Sequence, residues 1–314
     1  MTIDFFKMTD YKFAIIQYPN SLLSAVHGFN ELFSLTNNLC QKDSIPIHID
    51  AHILTLELLN SDTPYHAIFL PPSIDKNAYQ SSNTLLAKWL DQQHQSGAIL
   101  CCACAGAFFL AETDAIQNRK LTTHWALADA LKERFPKQQL DTSKILIDQG
   151  DIVSAGGMMS WMDLGIALIR RFTQASIVRQ LGKTLVVDTG NREQSYYRQF
   201  TPRFDHGDSK ILTVQHYLQN HFSQTNSIKM LADIIHLTPR TFLRRFYKHT
   251  GWTPSGYIQQ LRIQTVCNEL EETTLSFESI ALQVGYKDAS SCRKVFRKNM
   301  GLTPSEFRKR FVPQ

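Results

Sequence analysis

The sequence predicts an α/β front domain, a mostly parallel sheet with helices on both faces, followed by an all-α C-terminal domain with two helix-turn-helix units. Three observations lead there. Apolar strand-like runs alternate with helical stretches through the first two-thirds of the chain, strand signals stop after a polar stretch near residue 200, and the last hundred residues contain an internal repeat. Alternation of this kind implies parallel pairing with crossover helices on both faces. At 314 residues the chain exceeds one ordinary domain. The boundaries are 1–190 for the front domain, 191–206 for a polar linker without clear period, and 207–314 for the tail.

Phe13–Tyr18 is a buried strand stopped by Pro19, and Leu22–Leu35 is helical. Ala67–Leu70 is a strand closed by Pro71 and Pro72, Thr84–Gln93 a helix, and Ala98–Cys102 a fully apolar strand. Lys144–Ile147 and Asp151–Ser154 form a hairpin across Asp148-Gln149-Gly150. Met159–Phe172 is a helix with apolar residues on nearly every face, which predicts burial.

Hydrophobic residues make up 43% and charged residues 19% of the chain, a profile of packed rather than disordered protein. No run approaches 18 apolar residues, and the N-terminus lacks a signal peptide's apolar core. Six cysteines without a paired pattern predict a reducing cytoplasm. From residue 207 onward there are 15 Lys+Arg against 8 Asp+Glu, whereas the first 206 residues hold 18 against 20. A basic module on a slightly acidic body suits a polyanionic partner.

The repeat gives that partner a reader. Gly251-Trp-Thr-Pro-Ser-Gly-Tyr257 recurs fifty residues later as Gly301-Leu-Thr-Pro-Ser-Glu-Phe307, and the same offset maps Phe246 onto Phe296 and Arg244 onto Lys294. Each copy reads as helix, short turn, basic helix, glycine stop, then Thr-Pro at the next helix start. The turns fall at His236–Pro239 and Gly285–Asp288, with Thr238 and Asp288 as N-caps. Phe242 and Phe246 supply the buried face of the first basic helix, and Cys292, Val295 and Phe296 that of the second. Arg240, Thr241, Arg244 and Arg245, with Ser290, Ser291, Arg293 and Lys294, face elsewhere and suit base edges or phosphates. With the long middle helix around Ser255–Leu270, residues 207–314 resemble the AraC/XylS-type regulator domain. The resemblance implies base reading by Arg240, Leu243 and Arg244 in the first unit and by Ser290, Ser291 and Lys294 in the second. Leu243 departs from a polar reader, since an apolar side chain there can touch only a thymine methyl or pack.

In the front domain, strand Ala98–Ala103 runs into Cys104-Ala105-Gly106 and then a helix, the geometry of a nucleophile elbow. A thiol at a helix N-terminus has a lowered pKa, and Leu121–Trp125 can bring His124 to the same sheet edge. Cys101 and Cys102 read as strand core. Ala103–Gly106, Thr122–Trp125, and Ser154–Gly157 with Asp163 resemble the PfpI branch of the class I glutamine amidotransferase-like superfamily, and so imply a flavodoxin-like fold. Both domains together resemble the GlxA-type regulators, whose segment leading into the linker is matched by Arg192, Glu193 and Gln194. Where catalytic members carry a carboxylate in the first helix, aligning Gly28-Phe29 places Ala25, flanked by Ser24 and Val26; Glu31 is a different position. Without that acid no triad forms.

The front domain is therefore expected to be a non-catalytic pocket of Cys104, Ala105, Gly106, His124 and Gly28, with helix N-terminal amides for a metabolite carboxylate. Two alternatives stand beside it: a redox sensor in which Cys104 is oxidised and Cys102 or Cys101 resolves it, and a cysteine amidase or protease with an attached DNA-binding domain. No metal-ligand spacing, phosphate loop or dinucleotide fingerprint occurs, so no cofactor or metal is expected. The expected partners are duplex DNA, a small-molecule effector, a second copy of the chain and RNA polymerase.

Overall fold

The computed structural model describes residues 8–59, 63–188, 193–197 and 199–312. Residues 1–7 of the stretch read for a signal peptide, and Arg192, lie outside them. Two compact units divide between Gln194 and Ser195.

The front unit runs β1 (Thr9–Gln17), α1 (Leu23–Lys42), β2 (Ile47–Thr55), β3 (Ala67–Leu70), α2 (Asn77–Gln80), α3 (Thr84–Gln95), β4 (Ile99–Ala103) and α4 (Gly106–Leu110). It continues with β5 (Lys120–Leu121), α5 (Ala128–Arg134), β6 (Gln139–Leu140), β7 (Leu146–Asp148), β8 (Ile152–Ala155), α6 (Trp161–Phe172) and α7 (Ala175–Leu185). The main sheet has the order β2-β1-β3-β4-β8-β7, parallel throughout except for the β7–β8 hairpin. The apolar runs are continuous because both faces are covered. Phe13 and Ile15 point into a core closed by α1, α6 and α7, while Ala14 and Ile16 point into one closed by α3, α4 and α5.

Beyond the short α2, β5, α5 and β6, which were not read, three elements differ from the sequence reading. Strand β2 was not predicted: it lies at the sheet edge, and its exposed His48 and His52 break the apolar pattern, as edge strands commonly do. Helix α7 was not predicted either, although it buries Ile177, Val178 and Leu181 along one face. Helix α6 is amphipathic rather than buried all round: Met159 just before it is exposed, as is Arg170 within it.

The second unit is helical: α8 (Ser209–His221), α9 (Ile228–Ile234), α10 (Pro239–Thr250), α11 (Pro254–Glu272), α12 (Phe277–Gln283), α13 (Ala289–Met300) and α14 (Pro304–Phe311). Each of α10, α11 and α14 opens with a threonine N-cap followed by proline, whose missing N–H is no loss in a first turn. Helix α11 serves two cores. Its Tyr257 and Leu261 pack with Phe242 and Phe246, and its Ile263, Val266 and Leu270 pack with Phe277 and Phe296.

Of the stretch read as a linker, 191–206, several described residues are packed, each within its own unit. Glu193 bridges to Lys144, and the Gln194 side chain is buried in the front unit. Phe200 sits edge-on against Trp252 and Tyr257, and Phe204 stacks on His216 in the second unit. Aromatic residues scattered among polar ones hid this from a periodicity argument.

Candidate functional site

The two repeat copies build two equivalent helices. Thr238 caps α10 by accepting the Thr241 N–H, Asp288 caps α13 by accepting the Ser291 N–H, and each helix ends at a left-handed glycine, Gly251 or Gly301. Phe242 and Phe246 are buried below α10, as are Cys292 and Phe296 below α13, while Val295 is half-buried. The opposite faces are exposed at matching positions: Arg240, Leu243, Arg244, Tyr247 and Lys248 on α10, and Ser290, Arg293, Lys294, Arg297 and Lys298 on α13. These recur at helical spacing and form one stripe per helix. The fifty-residue offset also picks out Tyr247, Lys248, Arg297 and Lys298, which the sequence reading left out.

Not every expected contact residue is available. Arg245 turns inward and pairs with Asp208, the N-cap of α8, whose side chain is 3% exposed. Burial pushes the Asp208 carboxyl up, but Arg245, the Ile211 amide and His249 together hold it below the usual range. Thr241 is half-buried and takes a hydrogen bond from Thr238 at 3.0 Å. Ser291 donates to Asp288 at 2.8 Å, and Arg293 pairs with Glu278 at 2.8 Å while lying over the Phe277 ring. Arg240, Leu243, Arg244, Ser290 and Lys294 remain open on their stripes.

The elbow has the backbone the sequence implies. Cys104 adopts φ 53°, a left-handed conformation that costs a non-glycine residue about 1–3 kcal/mol. It is held by its N–H to the Ala155 carbonyl at 2.8 Å and by the Thr123 hydroxyl donating to its own carbonyl at 2.7 Å. This fixes the His124 segment beside the elbow. The expected low thiol pKa is not found: Cys104 is 2% exposed, and burial pushes it up to about 11, outweighing the Ala105 amide that favours thiolate. Burial raises Cys101 and Cys102 further. His124 is lowered by burial, and its Nδ1 accepts the Ala126 N–H at 3.1 Å. No carboxylate pairs with His124 among the described residues, and the acid position is filled by buried Ala25.

Ala105 and Gly106 are buried, and Gly106 backs onto the Leu70 carbonyl, where an added Cβ would come within 2.3 Å of the oxygen. Gly28 lies under Trp161: a Cβ there would meet the indole at 2.4 Å, so this glycine serves close packing of α1 on α6. An open cleft of the front unit lies beyond the carboxyl ends of β1, β2 and β3, with a volume of about 620 Å³. Ser21, Leu23, Glu57 and Asp75 line it, and so does Tyr18, whose phenol is raised first by burial and then by neighbouring Cys104. Tyr18 thus joins the cleft to the elbow. Among the described residues no helix is long and apolar enough to cross a membrane.

Comparison with known proteins matches residues 231–310 to a helix-turn-helix domain family and residues 41–171 to the DJ-1/PfpI family. The HTH-type transcriptional regulator CdhR of Pseudomonas aeruginosa is 28% identical over 224 residues, covering 71% of this chain and 66% of that protein. The HTH-type transcriptional regulator GlxA of Rhizobium meliloti is 24% identical over 207 residues, covering 66% and 64%. The matched stretches therefore span just under two-thirds of these relatives' length. Drosophila melanogaster DJ-1beta has 15% identity to this chain, covers 57% of it with all of its own chain, and superposes with a TM-score of 0.46.

Proposed function

We propose that this chain, which joins a DJ-1/PfpI domain to an AraC-type helix-turn-helix domain, is a cytoplasmic, sequence-specific DNA-binding transcription regulator controlled by a small molecule. The observation that carries this is the pair of α10 and α13 stripes, related by fifty residues and both basic. Each helix presents donors at the spacing of a helix lying in a major groove. Arg240, Leu243 and Arg244 read bases from the first unit, and Ser290 and Lys294 from the second.

The front unit acts as a sensor rather than an enzyme. A protonated, enclosed thiol and a histidine with no carboxylate behind it among the described residues do not make a nucleophile. The same burial speaks against a peroxide-sensing Cys104. The effector occupies the cleft at Tyr18, with Cys104 behind it, at the position where sheets of this kind take ligands. Two copies associate through their front units, which raises the effective concentration of the second pair of reading helices, and the bound dimer acts on RNA polymerase.

A gel-shift and footprinting series with the full chain on its own upstream DNA tests the reading. A discrete footprint at low salt is expected, with affinity falling steeply as salt rises. Absence of any shift from folded protein overturns it.

A further inference from the structure

We propose that the cleft between residues 206–208 and the first reading helix is a clamp for a DNA backbone phosphate, so that this end of the connecting segment binds DNA together with α10. The inference rests on the DNA-binding reading above and adds a place where the backbone is held. Gly207, Thr241, Arg244 and Lys248 line the cleft, with Asp208 and Arg245 at its floor.

Charge gives the site its chemistry. Three cations, Arg244, Arg245 and Lys248, meet a single carboxylate, Asp208. That carboxylate is already committed: it accepts the Ile211 N–H at 3.1 Å, pairs with Arg245 and lies 3.1 Å from His249. It neutralises Arg245 and leaves Arg244 and Lys248 without an acidic partner among the described residues. Arg244 is directed at a base edge in the reading above, so Lys248, four residues further along the same helix face, is the cation that takes the phosphate.

The opposite wall is rigid and low. His206 is fixed at both ring nitrogens, taking the Asp208 N–H at 3.2 Å and meeting Gln215 Oε1 at 2.7 Å. Gly207 adopts φ 72° with nothing within 4 Å of where a Cβ would stand, so the lip stays open. A groove of net positive charge flanking a helix that enters a major groove lies where the sugar–phosphate backbone runs. The fifty-residue offset repeats the cation pair as Lys294 and Lys298 but replaces Arg245 and His249 with Val295 and Asn299. Only the first unit, on these residues, has the acidic anchor that holds a wall against its reading helix.

The test is a salt series of duplex binding by the full chain, on several unrelated sequences. Lys248→Gln is expected to flatten the slope of log affinity against log salt by about 0.9 and to weaken binding about eight-fold at 0.1 M salt on every sequence. Lys132→Gln, at an exposed lysine of the front unit, leaves both unchanged. Gly207→Asn and Gly207→Asp, two residues that tolerate this backbone, separate the wall from the helix: the aspartate variant should bind more weakly than the asparagine variant. Wild-type slope and affinity in Lys248→Gln, or equal binding by the two Gly207 variants, overturns the clamp. Failure of the unaltered chain to bind any duplex overturns the underlying DNA-binding reading, and the clamp with it.

Discussion

The side chain of Gln194 takes the backbone N–H of Trp125 at 2.7 Å, fastening the last residue of the front unit to the segment that carries His124. Its Nε2 donates in turn to the Thr123 carbonyl at 3.0 Å. Gln194→Ala removes the partner of the Trp125 N–H and leaves the buried Thr123 carbonyl only the Thr122 hydroxyl at 3.4 Å, at about 1–3 kcal/mol in all. Gly156→Ala should act on the same contact, because its Cβ would come within 2.2 Å of Gln194 Nε2. Calorimetry of each variant should show the front unit melting several degrees lower. Wild-type melting in both would mean that the contact contributes nothing.

Buried thiols make the fold sensitive to alkali. Burial raises Cys104 to about 11, Cys267 to about 12 and Cys292 to about 11, and raises Cys102 as well. In the unfolded chain they ionise near pH 8.5. The folded protein keeps protons that the unfolded chain releases, so their stabilisation is complete below about pH 8.5 and is lost as pH climbs toward 11. Each thiol accounts for about 1.4 kcal/mol per pH unit in that window. Urea midpoints should fall between pH 8 and 10, and less steeply in Cys104→Ala.

The turns of the two helix-turn-helix units differ in tolerance. Gly285 has φ 90°, and a Cβ there would lie 1.9 Å from the Ser223 carbonyl oxygen, so Gly285→Ala should cost more than about 2 kcal/mol and weaken DNA binding. Its counterpart His236 adopts φ 53° with a side chain already in place. His236→Gly should stay within about 1 kcal/mol of the parent, relief of strain opposing the added freedom of the unfolded chain. Chemical denaturation of the two variants checks the contrast.

Neighbouring arginines on α10 should separate affinity from stability. Arg244→Ala should leave melting unchanged and cost about 1–3 kcal/mol of binding at one base position if it reads guanine. Arg245→Ala removes the main partner of the buried Asp208 carboxylate and should instead lower stability, by about 1–3 kcal/mol given the half-exposed arginine. Similar loss of affinity at unchanged stability in both variants would contradict the inward placement of Arg245.

The sequence by itself determined the fold class, though not edge strand β2 or helix α7. Apolar runs such as Ala67–Leu70 and Ile99–Ala103 have no alternation because both faces are buried, and that signature is local. Caps, glycine stops and Thr-Pro steps are local as well, so the repeat could be read directly, and with it the stripe of Arg240, Arg244, Ser290 and Lys294. Only the tertiary structure decided which side chains are spoken for. Arg245 and Arg244 are adjacent arginines on one basic helix, yet one faces a carboxylate 37 residues earlier in the chain and the other faces outward. Cys104 occupies an elbow whose sequence suggests a reactive thiol, and desolvation by residues distant in sequence reverses that expectation. Burial and pairing depend on what the fold brings from elsewhere, and local sequence does not carry that information.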